Sequence, residues 1–124
     1  PLATAAGSAT LRILKNDPPY DYLERISSRL ANGLLQEANS AGIKACVQRV
    51  GSMMTLFFNG GPVQDWPSAD RSNRTQFSKF FWGLIDRGVY FPCSQFEALF
   101  VSRMHTIADI DETIAAARES LAGL

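Results

Sequence analysis

The 124-residue sequence is poor in the side chains that carry most independent chemistry, with one histidine, His105, and two cysteines, Cys46 and Cys93. Two distant cysteines cannot frame a disulfide scaffold, and with a single histidine they do not make a metal-ligand set. No metal is therefore expected, and both thiols read as small core residues in a reducing compartment. No apolar run approaches the roughly 20 residues that a membrane span requires, and the opening residues lack the charged and apolar regions of a secretory signal. A soluble, cytoplasmic protein is expected. Neither sign of charge is in excess, since twelve Lys and Arg balance twelve Asp and Glu. Without a net field to gather a polyanion, neither nucleic acid nor a membrane is an expected partner. Asn59-Gly60-Gly61 lacks the lysine that would follow in a phosphate-binding loop and reads as a turn. Asn73-Arg74-Thr75 fits a glycosylation pattern that has no meaning without a secretory route.

What the sequence has is the composition of an ordinary globular domain, 46% hydrophobic and 19% charged. A chain of this length buries roughly two-thirds of the surface that its unfolded form exposes, enough for one core. The first fifteen residues carry no charge before Arg12, and Pro1 suits a helix start. Small or apolar residues lie on nearly every side of that helix, the pattern of a segment buried on several faces. So short a domain can hardly supply that cover, so a neighbouring body or a homodimer partner is expected to provide it.

Asn16-Asp17-Pro18-Pro19 breaks the helix. Tyr20, Leu23, Ile26, Leu30, Leu34 and Ala38 then recur at three- and four-residue steps and predict a second helix, closed by Gly42. Lys44 to Val50 and Ser52 to Phe58 are rich in branched and aromatic residues and predict an antiparallel strand pair turning at Gly51. Val63 to Asn73 has little periodicity and reads as a long loop. Phe77, Phe80, Phe81, Leu84 and Ile85 place a third helix over 75–87, with Gly88 as its stop. Short strands are expected at Val89-Tyr90-Phe91 and from Phe96 to Ser102. Thr106 and Asp109 form a capping box for a last helix whose stripe is Ile107, Ile110, Ile114, Ala117 and Leu121. The fold class that follows is α+β, a small antiparallel sheet covered on one face by helices.

Candidates for chemistry are few. Cys93 or Ser94 with His105 as base lacks a third, orienting group, so no catalytic residue is assigned, and His105 beside a helix start reads as structural. Glu97 stands out because its carboxylate lies in Phe96-Glu97-Ala98-Leu99-Phe100, among core residues. Burying a charge without a partner is costly, so Glu97 either faces solvent from a strand edge or lines a cleft.

Several blocks carry a resemblance. Gly51-Ser52-Met53-Met54-Thr55-Leu56-Phe57-Phe58, Gly88-Val89-Tyr90-Phe91, Ser94-Gln95-Phe96-Glu97-Ala98 and His105-Thr106 with Asp109-Ile110 and Thr113 to Arg118 are similar to the end of glutamate-1-semialdehyde 2,1-aminomutases. Pro1-Leu2-Ala3 with Ala5-Ala6-Gly7 resembles the helix after that family's glycine-asparagine-proline turn. The likeness runs through the whole chain in order, and the Ser94-Gln95-Phe96-Glu97 block, which related class III aminotransferases usually lack, is its most specific part. The chain departs from the pattern at Pro92-Cys93, where many relatives read alanine-proline, and at Leu99, where many have glycine.

The resemblance implies the C-terminal small domain of a fold-type I pyridoxal-phosphate enzyme, residues 1–15 being a junction helix to a large cofactor-binding domain and 16–124 the small domain. It implies a cytoplasmic homodimer that converts glutamate 1-semialdehyde to 5-aminolevulinate for tetrapyrrole synthesis. Its cofactor lysine belongs to the large domain, and its phosphate-contacting threonine lies just before the position of Pro1. Lys15, Lys44 and Lys79 do not occur in that motif, so no cofactor is expected on this chain alone. By position Glu97 corresponds to the family glutamate at the substrate pocket, with Ser94 and Gln95 shaping the same wall. Another class III aminotransferase, or a free-standing α+β interaction or ligand-sensing module, remain the alternatives.

Overall fold

The computed structural model describes residues 1–124. The elements run α1 (Leu2–Asn16), α2 (Tyr20–Ser40), β1 (Cys46–Val50), β2 (Met53–Phe57), α3 (Trp66–Asp70), α4 (Arg74–Ile85), β3 (Leu99–Phe100) and α5 (Ile107–Leu121). The three strands form one antiparallel sheet in the order β1-β2-β3. The expected class, α+β with helices packed on a small antiparallel sheet, is the observed one.

The period-2 alternation of the strands decides which side faces the helices. Met54 and Leu56 of β2 point into the core, where they join Ile26, Leu30 and Leu34 of α2, Phe80 and Leu84 of α4, and Ile110, Ala117 and Leu121 of α5. The stripe predicted for α2 is buried from Ile26 to Ala38, whereas Tyr20 at its start lies exposed. Helices α2 and α5 cross closely at Gly33, where a Cβ would meet the Cδ1 of Ile114 at 2.4 Å. Arg49, at the edge of β1, makes a two-pronged pair with Glu24 of α2 (Nη1 to Oε2 2.8 Å) and donates to the Gly51 carbonyl, tying the hairpin turn to the helix layer. Gly51 sits at φ +57°, a left-handed conformation that suits glycine and lets the turn be this short.

The structure corrects several sequence expectations. Val63–Asn73 is not an unbroken loop, because Asp65 caps α3: its Oδ1 accepts from the Ser68 N–H at 2.8 Å, and Ser68 Oγ accepts from the Asp65 N–H at 3.1 Å. Val89-Tyr90-Phe91 forms no strand, since the Val89 N–H is drawn back to the Leu84 carbonyl (2.9 Å) by the helix stop. The strand expected over 96–102 shrinks to Leu99–Phe100, because residues 93–97 close into a turn. Cys93 is exposed and Cys46 only half-buried, so neither is a true core residue. For Cys46, partial burial still pushes the thiol pKa up, against a smaller lowering by the backbone of Val63.

The cover that the apolar helix α1 calls for does not come from this chain. None of its residues is buried, and Leu2, Leu11 and Ile13 are exposed. Only its end is tethered, through an ion pair between Asp17 and Arg103. The rest of this chain supplies no surface that packs along it.

The capping box predicted at Thr106 and Asp109 is present in full. The Asp109 carboxyl is held below its ordinary value of 3.8, first by the Thr106 N–H and then by the Thr106 hydroxyl. The folded pKa is thus below the unfolded one, so the cap's contribution is complete above about 3.8 and is lost as pH falls through the lowered value. Asp109→Asn should melt lower than the parent at neutral pH and lose less stability on acidification. Thermal melts across the acid range check this, and parallel acid limbs would contradict it.

Candidate functional site

The turn Cys93-Ser94-Gln95-Phe96-Glu97 is where the sequence block with the most specific resemblance meets an unusual local geometry. Its framework is local and strong. Asn73 caps α4 by accepting from the Gln76 N–H (3.0 Å), while its own N–H donates to the Phe58 carbonyl (2.9 Å), which fixes the start of α4 against the end of β2. Helix α4 then delivers Phe77, Phe80 and Phe81 toward the turn. Phe80 meets Phe58 and Phe91 edge-on, with centroids 5.4 and 6.0 Å apart, so the segment entering the turn is anchored in the core.

Within the turn, the Glu97 N–H donates to the Ser94 carbonyl (3.1 Å) and the Phe96 N–H donates to Ser94 Oγ (3.3 Å). Thr55 of β2 donates its hydroxyl to the Glu97 carbonyl at 3.2 Å. Phe96 is held from outside by two groups that sequence reasoning did not single out. Trp66 of α3 lies against it at 5.0 Å between centroids, and the Arg74 guanidinium stands over its ring at 5.5 Å while also pairing with Asp70. The signal for this clamp was in the sequence, since Asp65-Trp66-Pro67-Ser68 has a capping aspartate three residues before a serine and a proline in the first turn.

The three candidate residues are therefore brought together in one turn but are not equivalent. Glu97 is exposed, Ser94 is half-buried, and Gln95 is buried. Glu97 sits just before β3, its carbonyl held by the Thr55 hydroxyl. On the sheet face that the helices leave uncovered, Val50, Met53 and Phe100 stand in one cross-strand row and are all exposed, an apolar patch. On the other side of the turn a cleft of about 420 Å³ is walled by Phe77, Phe81, Trp82, Phe96 and Arg74. Lys15, Lys44 and Lys79 are exposed elsewhere, and none lines the turn or either hollow beside it.

His105 belongs to a separate cleft of about 350 Å³ between the 87–91 segment and α5. Its Nδ1 accepts from the Ser102 N–H (2.9 Å) and its carbonyl accepts from the Tyr22 hydroxyl (2.7 Å), so it pins the approach to α5 and meets neither Cys93 nor Ser94. No group of three or more His, Cys, Asp or Glu side chains is placed to hold a metal ion.

No family model matches the chain. Individual proteins do: it is 60% identical over all 124 residues to a glutamate-1-semialdehyde 2,1-aminomutase of Rhodopirellula baltica. Along its whole length the chain matches a segment of glutamate-1-semialdehyde 2,1-aminomutases. The aminomutases of Sorangium cellulosum and of a Thermus thermophilus strain are 50% and 48% identical over 98% of the chain. The chain spans between 28% and 29% of the length of these curated relatives. Among solved structures, an omega-transaminase from Sphaerobacter thermophilus superposes with a TM-score of 0.71 at 17% identity, over 89% of this chain and 25% of that one. A beta-phenylalanine aminotransferase from Variovorax paradoxus does so at 0.70 and 23%, over 82% of this chain and 23% of that one. These structural likenesses establish the fold, which the aminomutase segment shares with transaminases.

Proposed function

We propose that the protein to which this segment belongs converts glutamate 1-semialdehyde to 5-aminolevulinate, the step that feeds tetrapyrrole synthesis, and that the 93–97 turn forms one wall of its substrate pocket. The carrying observation is the 60% identity to an aminomutase over every residue of the chain. The geometry agrees with a wall and not with a complete catalytic centre. Glu97 offers an exposed carboxylate on a turn whose backbone is fixed from three sides, which suits it to meet the amino groups of a substrate. Ser94 and Gln95 belong to the same wall.

Pyridoxal phosphate is the cofactor proposed for the complete protein. Residues 1–124 do not fit its attachment, because the three lysines are spread over exposed surfaces away from the turn. The cofactor is accordingly assigned to residues outside this segment, and the segment's share is substrate orientation, closure and contact. Two surfaces suit contact with the cofactor-bearing body: the bare apolar helix α1, and the uncovered sheet face with Val50, Met53 and Phe100. A homodimer is proposed on the same grounds. No helix is long and apolar enough to cross a membrane, and a cytoplasmic location fits the proposed biosynthetic role.

The deciding experiment supplies the complete purified protein with glutamate 1-semialdehyde alone. Formation of 5-aminolevulinate without any added amino donor or acceptor is expected. Turnover only with an external amino donor would make it another class III aminotransferase, and no turnover with either would leave an interaction or sensing role.

A further inference from the structure

Gln95 is 4% exposed, yet neither its Nε2 nor its Oε1 has a hydrogen-bond partner within the chain. A buried amide left unpaired is costly, and folded proteins pair such groups with protein or with ordered water. The side chain lines a small cavity of about 10 Å³ whose other polar walls are Thr55, Ser94 and Glu97, and whose apolar walls include Phe80 and Phe91. That is room for about one water. Polar capacity remains on two of these walls. Ser94 Oγ accepts from the Phe96 N–H, which leaves its own hydrogen free, and Thr55 donates to the Glu97 carbonyl, which leaves its lone pairs free. A water in the cavity is therefore offered donors by the amide nitrogen and Ser94, and acceptors by the amide oxygen and Thr55.

We propose that Gln95 is a positioning residue that binds one internal water beneath the 93–97 turn and through it holds Glu97 in place. The amide faces inward while the carboxylate two residues later faces out, so Gln95 acts on the substrate only through the turn. This deepens, and rests on, the reading of Glu97 as a group that meets substrate.

The test uses the complete, cofactor-loaded protein. Its crystal structure should show one ordered water within hydrogen-bond reach of the Gln95 amide, and Gln95→Leu should abolish that water. Gln95→Leu should lower kcat about tenfold, since misplacing a contacting group by about an ångström can cost up to a hundredfold. Gln95→Glu, which keeps a donor and an acceptor when protonated, should recover most of that loss. In a Glu97→Gln background Gln95→Leu should add little, because both changes remove the same contact. A Gln95 amide bonded to protein instead of water overturns the proposal, and so do fully additive losses in the double variant. A silent Glu97→Gln is a different result: it removes Glu97 from the site and takes the positioning role with it, whatever the cavity holds.

Discussion

Replacing Phe80 by alanine is expected to destabilise this domain by about 3–5 kcal/mol, a large part of the roughly 5–15 kcal/mol that holds a typical domain folded. Phe80 is fully buried and meets two aromatic neighbours edge-on, Phe58 at the end of β2 and Phe91 at the entry to the 93–97 turn. The cost has three parts: the lost transfer of the ring, the cavity it leaves, and the lost aromatic contacts. Because α4, the sheet and the turn share this one ring, the loss should not stay local. Phe80→Leu keeps most of the volume and should cost much less. Urea midpoints rank the three proteins, and hydrogen exchange in the complete protein should show residues 91–98 loosening first in Phe80→Ala. A midpoint unchanged by the alanine would mean that the hollow beneath the turn collapses without penalty.

The largest effect on activity is expected at Glu97. Glu97→Gln keeps the shape of the side chain and removes its charge. Because Glu97 is exposed and makes no side-chain hydrogen bond within the chain, the fold has no stake in the carboxylate; only the Glu97 backbone is engaged, by Ser94 and Thr55. The thermal midpoint should therefore stay close to the parent, while turnover of glutamate 1-semialdehyde in the complete protein falls by about ten- to a hundredfold, the range for losing one positioned charged contact. Steady-state kinetics beside a melting curve separate the two effects. Parent-like kinetics would remove Glu97 from the pocket; a lowered melting point would make its role structural.

The elements with clean periodicity were legible residue by residue. The stripes of helices α2, α4 and α5 and the β1–β2 hairpin follow from apolar spacing, and the Thr106 and Asp109 cap from the side chains that a helix start needs. The 89–102 region was not legible, because its alternation of aromatic and small residues satisfies a strand as well as a turn. What decides between them is the Phe91 anchor, the Thr55 bond to the Glu97 carbonyl and the Phe96 clamp by Trp66 and Arg74, all of which are long-range. The same holds for the site. The sequence singled out Glu97 as an odd carboxylate among core residues, but which of Ser94, Gln95 and Glu97 faces out was beyond it.

The likeness to aminomutases, the fold class and the position of every long helix were determined by the sequence alone, because local spacing and motif identity are properties of neighbouring residues. Only the tertiary structure decided that Cys93 is exposed, and that Gln95 turns inward while Glu97 turns out. Burial and orientation depend on what folds against a residue from far along the chain, and no pattern of adjacent residues records that.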